Sequence, residues 1–294
     1  MGTKIYGIVS IAIIICFYTI ASSYAEDAKS SIMAAASFDD GLQAYRNGEY
    51  GKALKSFYRA SKSGSASAEY QLGRMYENGD GVSFNEAEAL KWYHRAAIKG
   101  MPAAELKVAE IYSVTYMMGN GKYLLGNPVK AIKWYRQAAL SGFSQAQCAL
   151  GNYYANKNKL RAIRWYEIAS KNGSVSAEYH LATLYAQDKS MPQSNELEIK
   201  WYKIAAKNGD LRSAIQLGDD YYFGKVVNTN YPEAFKWYHI AAQKGNTTAE
   251  LNVCIMYEKG QGVEVDDVKA LNWCRLAASA GNLEAQQNIS NLFH

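Results

Sequence analysis

Apolar residues recur along this chain at fourfold spacing, in short runs that each follow a glycine. The glycines are Gly64, Gly100, Gly142, Gly173, Gly209, Gly245 and Gly281. Four residues after each comes a small side chain: Ala68, Ala104, Ala146, Ala177, Ser213, Ala249 and Ala285. Eight after comes an aliphatic one: Leu72, Val108, Leu150, Leu181, Leu217, Val253 and Ile289. Twelve after comes tyrosine in six copies: Tyr76, Tyr112, Tyr154, Tyr185, Tyr221 and Tyr257. Residues four apart share one face of a helix, so each glycine opens a predicted amphipathic helix, A. A second pattern leads into each glycine: ALKWYHRAA at 89–97, AIKWYRQAA at 131–139, AIRWYEIAS at 162–170, EIKWYKIAA at 198–206, AFKWYHIAA at 234–242 and ALNWCRLAA at 270–278. These copies hold all six tryptophans, and ALKSFYRAS at 53–61 is a degenerate earlier one. They predict helix B, stopped by the glycine three residues later in a left-handed conformation.

From Phe57 onward, equivalent positions are separated by 35, 42, 31, 36, 36 and 36 residues. A fixed period in this range means a stacked array, because neither helix of a unit can bury its apolar face alone. The recurring alanines let helices approach closely, and tryptophan fills the space between units. The predicted fold is therefore all-α. A flexible segment (26–37) and a helical pair (38–64) precede about six repeats (65–294), which end in an unpaired helix A from about Leu283 to Phe293.

These residues resemble the Sel-1-like repeat family, a subclass of the tetratricopeptide-type solenoids. Its signature, A-x-x-x-L-G-x-x-Y-x-x-G-x-G and then A-x-x-W-Y-x-x-A-A-x-x-G, is met nearly whole between residues 38 and 294. The resemblance implies a right-handed α-α superhelix of antiparallel helix hairpins. It also implies an adaptor for macromolecular complexes, many members of the family being exported bacterial proteins.

The repeat departs from itself in three places. Between Tyr112 and Ala131 there are about six extra residues, forming an apolar loop with Val114, Tyr116, Met117, Met118, Tyr123, Leu124 and Leu125. An insertion in a solenoid often maps to the binding face; the competing reading is that the loop fills a gap beside the next unit, which is about five residues short after Tyr154. The third departure concerns cysteine. Nine residues after the glycine, helix A carries Gly73, Ala109, Gly151, Ala182 and Gly218, opposite Tyr93, Tyr135, Tyr166, Tyr202 and Tyr238 of helix B. One pair changes both positions, to Cys254 and Cys274. Residues of an antiparallel hairpin that share a constant sum face each other, so these two are placed for a disulfide, which export would permit. Cys148 reads as a buried free thiol.

Export is expected from the N-terminus. Residues 1–25 have Lys4, an apolar run from Ile8 to Ile20, and small residues at Ser23 and Ala25, as a signal peptidase requires. The expected cut follows Ala25, giving a periplasmic or secreted chain; the alternative is a retained anchor, for which the run is short. The cut removes one lysine and no acid, lowering the net charge from +5 to +4. Spread over the remaining chain this implies no nucleic-acid partner.

Candidate chemistry is sparse. The four histidines form no HExxH pair and no cluster with cysteine, so neither metal nor cofactor is expected. His94 and His239 share a repeat position filled elsewhere by Arg136, Glu167, Lys203 and Arg275, which reads as solvent-facing. A cysteine-rich branch of the resembling family is described as β-lactam-binding or weakly β-lactam-hydrolysing. The nucleophile motif Ser-x-x-Lys is absent, Ser56 with Arg59 coming nearest, so an enzyme is the minor alternative. A secreted factor acting on host proteins is the third.

Helix A of such solenoids lines the concave face. Seven and ten residues after the glycine lie Gln71, Lys107, Ala149, His180, Gln216, Asn252 and Asn288, and Arg74, Glu110, Asn152, Thr183, Asp219, Ile255 and Asn291. Amides can donate to and accept from an extended peptide, while Arg74, Lys107 and Asn152 would suit an acidic group. The competing reading is a solvated face. The candidate partner-binding set is Arg74, Lys107, Asn152, His180, Gln216 and Asn252, with Met117, Met118 and Tyr123 of the insertion.

Overall fold

The structure, a computed structural model, describes residues 31–114, 116–117, 123–124, 126–188, 190 and 193–292. The expected export signal and Met118 lie outside the described residues. The chain divides into two compact units, one ending at Phe143 and the other beginning at Ser144.

The first unit contains α1 (31–46), α2 (Tyr50–Lys62), α3 (Ala66–Asn78), α4 (Glu86–Ile98), α5 (Pro102–Ser113) and α6 (Pro128–Leu140). The second contains α7 (Ser144–Ala155), α8 (Lys159–Lys171), α9 (Val175–Gln187), α10 (Ser194–Lys207), α11 (Leu211–Phe223), α12 (Tyr231–Ala242), α13 (Thr247–Lys259), α14 (Asp267–Ser279) and α15 (Leu283–Leu292). Within each unit, from α2 in the first and α7 in the second, every helix packs on its successor, as stacked hairpins require. A helices are odd-numbered and B helices even-numbered.

Local signals set the helix boundaries. Gly245 has φ 78°, ending α12, and the next residue, Asn246, caps α13 by accepting from the Ala249 amide at 3.0 Å. Stop and start are thus adjacent in sequence, so the B-to-A link needs only a few residues. The A-to-B link is fixed by a different bond. The amide of the B-helix cap donates to the carbonyl of the repeated tyrosine: Asn85 to Tyr76, Asn127 to Tyr112, Asn158 to Tyr154, Asn230 to Tyr221 and Asp266 to Tyr257. The same bond therefore closes the regular, the lengthened and the shortened links. Beyond this neck, the described residues of the insertion form a short antiparallel ladder, β1 (Tyr116–Met117) on β2 (Tyr123–Leu124), with Met117 opposite Tyr123.

The core is the small-aliphatic stripe that the periodicity predicts. Leu72 and Val108 in the first unit, and Leu150, Leu181, Leu217 and Val253 in the second, have no exposed surface. Truncating any such leucine to alanine typically costs about 2–5 kcal/mol.

Two expectations are corrected. Residues 31–37, assigned to a flexible lead-in, are helical, with Ala34 and Ser37 buried. The reason is that α1 is helix A of a further, degenerate copy: Gly41 lies against the ring of Phe57, as Gly73 lies against Tyr93. His94 and His239, read as solvent-facing, are half-buried. They pack edge-on against Trp134 and Trp273 of the following B helix, at 5.3 and 5.6 Å. An amphipathic ring or a long aliphatic stem can each cover an indole, so the substitution pattern concealed the contact.

One repeat position holds buried polar side chains. Glu69 is fully buried yet paired with Arg95 and Lys99, at 2.8 and 2.9 Å. Gln147 accepts from Asn172, and Glu178 from Asn208. In the first unit, Glu105 is 8% exposed, and its Oε2 is buried without a hydrogen bond. Burial pushes its carboxyl above the usual range. A raised folded-state pKa gives stability that is full when the group is protonated and is lost as pH rises through that value. Glu105→Gln is expected to stabilise the unit near pH 7.5, where the buried carboxyl would ionise, and to have little effect near pH 3. Thermal unfolding at the two pH values checks this, and equal shifts at both would oppose it.

Candidate partner-binding face

Where the position nine residues after the glycine is itself a glycine, it lies against an aromatic ring of helix B. A Cβ built on Gly73 would stand 2.6 Å from the Tyr93 ring, one on Gly151 2.3 Å from Tyr166, and one on Gly218 2.4 Å from Tyr238. Pressing a tyrosine on bare backbone buries its ring and obliges its hydroxyl to find a partner. Tyr93 donates to Glu77, Tyr166 to Asn152 at 2.8 Å and Tyr238 to Asp219 at 2.6 Å. Burial, reinforced for Tyr93 and Tyr238 by the neighbouring carboxylate, pushes all three phenols upward. Tyr202, with Thr183 beside its hydroxyl, is pushed up to about 12, first by burial.

The last pair shows the same rule by its exception. A disulfide joins Cys254 to Cys274, with Cα atoms 5.4 Å apart. With cysteine in place of tyrosine there is no hydroxyl to satisfy, and the residue beside Cys254 is Ile255, where Asn152 and Asp219 stand in other copies. Three positions therefore change together. Cys148 is buried and free, and burial pushes its thiol up.

Several residues of the expected binding ladder are thus already occupied. Lys107 pairs with Glu77 at 2.9 Å and Glu110 at 3.6 Å. Burial alone would lower its ammonium, but these carboxylates outweigh it and hold it above its ordinary value. Arg74 donates to Gln71 at 3.3 Å. Asn152, in the second unit, serves Tyr166. His180 stacks on Tyr166 with centroids 5.5 Å apart, and burial, then Arg212, lowers its pKa. Gln216 donates to Asp220 at 3.2 Å. Met117 and Tyr123 pair through their backbones in the short ladder.

Asn252 stands apart. It lines a cavity of about 380 Å³ in the second unit, with Asp219, Tyr222, Phe223, Tyr238 and Ile255. Tyr222 and Phe223 sit thirteen and fourteen residues after their glycine, where the copies share no common residue type, so the periodicity carried no signal for them. Among the described residues, no group of histidine, cysteine and acidic side chains could hold a metal ion. No helix among them is long and apolar enough to cross a membrane.

A family model described as Sel1 repeat matches residues 66–101, 102–143, 144–174, 175–210, 211–246 and 247–282. The chain belongs to the Sel1 repeat family. Sel1 repeat solenoids are typically protein–protein interaction scaffolds, and the family is generally non-enzymatic. Among solved Sel1-type folds, a protective antigen present in uropathogenic Escherichia coli strains is 28% identical, with TM-score 0.77 over 92% of this chain and 59% of that one. A Sel1 repeat protein from Oxalobacter formigenes is 30% identical, with TM-score 0.72 over 88% of this chain and 76% of that one. An exopolysaccharide production negative regulator from Rhizobium leguminosarum bv. viciae is 35% identical over 69 residues, 23% of this chain and 26% of the relative. The chain therefore spans about a quarter of the curated relatives it matches.

Proposed function

We propose that this Sel1 repeat chain is an exported scaffold that holds an extended segment of a protein partner along its A helices. The observation that carries the reading is the cavity against α11 and α13, where Asn252 and Asp219 of the polar ladder meet exposed aromatic surface. A groove with aromatic walls and a few convergent polar groups is the ordinary form of a peptide-recognition site. Of the other ladder residues, Lys107, Asn152 and His180 contact a neighbouring helix, while Arg74 and Gln216 bond within their own. Export rests on the signal-like residues 1–25.

The reading is tested by photo-crosslinking in the producing cell. A benzophenone amino acid at Asn252 is expected to capture a partner protein, whereas one at Arg275, exposed on α14, captures none. The captured chain should begin at Glu26 and be found outside the cytoplasm. Equal capture from both positions, or none from Asn252, would remove the proposed face.

A further inference from the structure

The cavity against α11 and α13 differs in chemistry from the rest of the polar ladder, and it points to a particular side chain of the partner. This inference rests on the scaffold reading above and specifies what one site on it accepts. Tyr222 and Phe223 supply aromatic surface, Phe223 being 59% exposed. A cation already rests on that ring: Lys225 Nζ lies 4.9 Å from its centroid. Asp219 Oδ1 accepts the Tyr238 hydroxyl at 2.6 Å, which fixes the carboxylate in the wall of the cavity. Glu284 adds a second carboxylate and Lys259 one ammonium, so the lining charges sum to one negative.

We propose that this cavity receives an arginine side chain from an extended partner segment. The guanidinium pairs with Asp219 and lies flat against the exposed ring of Phe223, while the Tyr222 ring, at 76° to it, meets the guanidinium edge. An apolar side chain would bury the Asp219 carboxylate with only the neutral Tyr238 hydroxyl to compensate its charge. An acidic one would meet two carboxylates against a single ammonium. Lysine would satisfy the charge, but its compact ammonium is more strongly hydrated and does not stack, whereas the planar guanidinium both pairs with a carboxylate and stacks on a ring. The volume of about 380 Å³ leaves room for the arginine stem and part of a neighbouring residue.

The test pans a phage library of random dodecapeptides against the purified chain. Arginine is expected to dominate one fixed position among the enriched peptides. An enriched peptide, labelled for fluorescence anisotropy, should bind about tenfold or more weakly to Asp219→Asn. That variant keeps an oxygen for Tyr238, so the fold is retained. Phe223→Ala, at an exposed ring, should weaken binding by a smaller factor. Acidic or wholly apolar consensus peptides, lysine enriched equally with arginine, or unchanged affinity in Asp219→Asn would each overturn the assignment. Peptides lacking arginine that still compete with crosslinking at Asn252 would overturn it while leaving the scaffold reading intact.

Discussion

Gly218→Val is expected to destabilise the second unit by about 3 kcal/mol, the upper end of what overpacking usually costs. A Cβ at this position would already stand 2.4 Å from the Tyr238 ring, and valine adds two methyl groups beyond it. The ring cannot retreat easily, because Asp219 holds its hydroxyl at 2.6 Å. Two opposing effects set the scale. Replacing a mid-helix glycine gains back less than about 1 kcal/mol of helix propensity, which does not offset the collision. Alanine should cost less than valine, since Ala109 and Ala182 occupy the equivalent position opposite Tyr135 and Tyr202. Chemical unfolding followed by circular dichroism measures the loss. In a Tyr238→Ala background the same valine should cost less than about 1 kcal/mol, because no ring remains for it to strike. An undiminished cost there would mean that the glycine is needed for some other reason.

Removing the disulfide should be of similar size. Cys254 and Cys274 close a loop with a sequence separation of 20, for which the chain-entropy estimate is about 3 kcal/mol. The effect should be local, because stability in a repeat array is a sum of units and their neighbouring interfaces. Cys254→Ala with Cys274→Ala is therefore expected to loosen α13 and α14 first, seen as faster amide exchange in those helices while α7 to α10 are unchanged. A chain beginning at Glu26 holds three cysteines. In denaturant it should give one reactive thiol without reductant and three with it. Three thiols before reduction would show that the bond does not form where the protein is made.

Much of this was legible in the sequence. The fourfold spacing after each glycine gave the A helices, and the Trp-Tyr motif gave the B helices. The constant-sum rule placed Gly73 against Tyr93 and Cys254 against Cys274, pairs that the structure brings together. The candidate site was less legible. Arg74, Lys107, Asn152 and Gln216 were read as a face turned to a partner, but each already has a partner within its own unit. A sequence shows which residues share a helix face. It does not show that a tyrosine hydroxyl from the next helix arrives beside Asn152, or that Glu77 reaches Lys107.

The sequence by itself determined the repeat and, outside the degenerate first copy, the helix boundaries, because periodic burial, caps and left-handed glycines are local requirements that recur wherever a unit recurs. It also determined the one place where tyrosine, glycine and a polar neighbour are exchanged together for Cys274, Cys254 and Ile255. Only the tertiary structure decided which polar residues are engaged and which line open space. That distinction depends on side chains meeting across helices, at distances of a few ångströms that no spacing along the chain encodes. The cavity at Asn252 and Asp219 belongs to this second kind: Tyr222 and Phe223 become its walls only because α11 packs on α12 and α12 on α13.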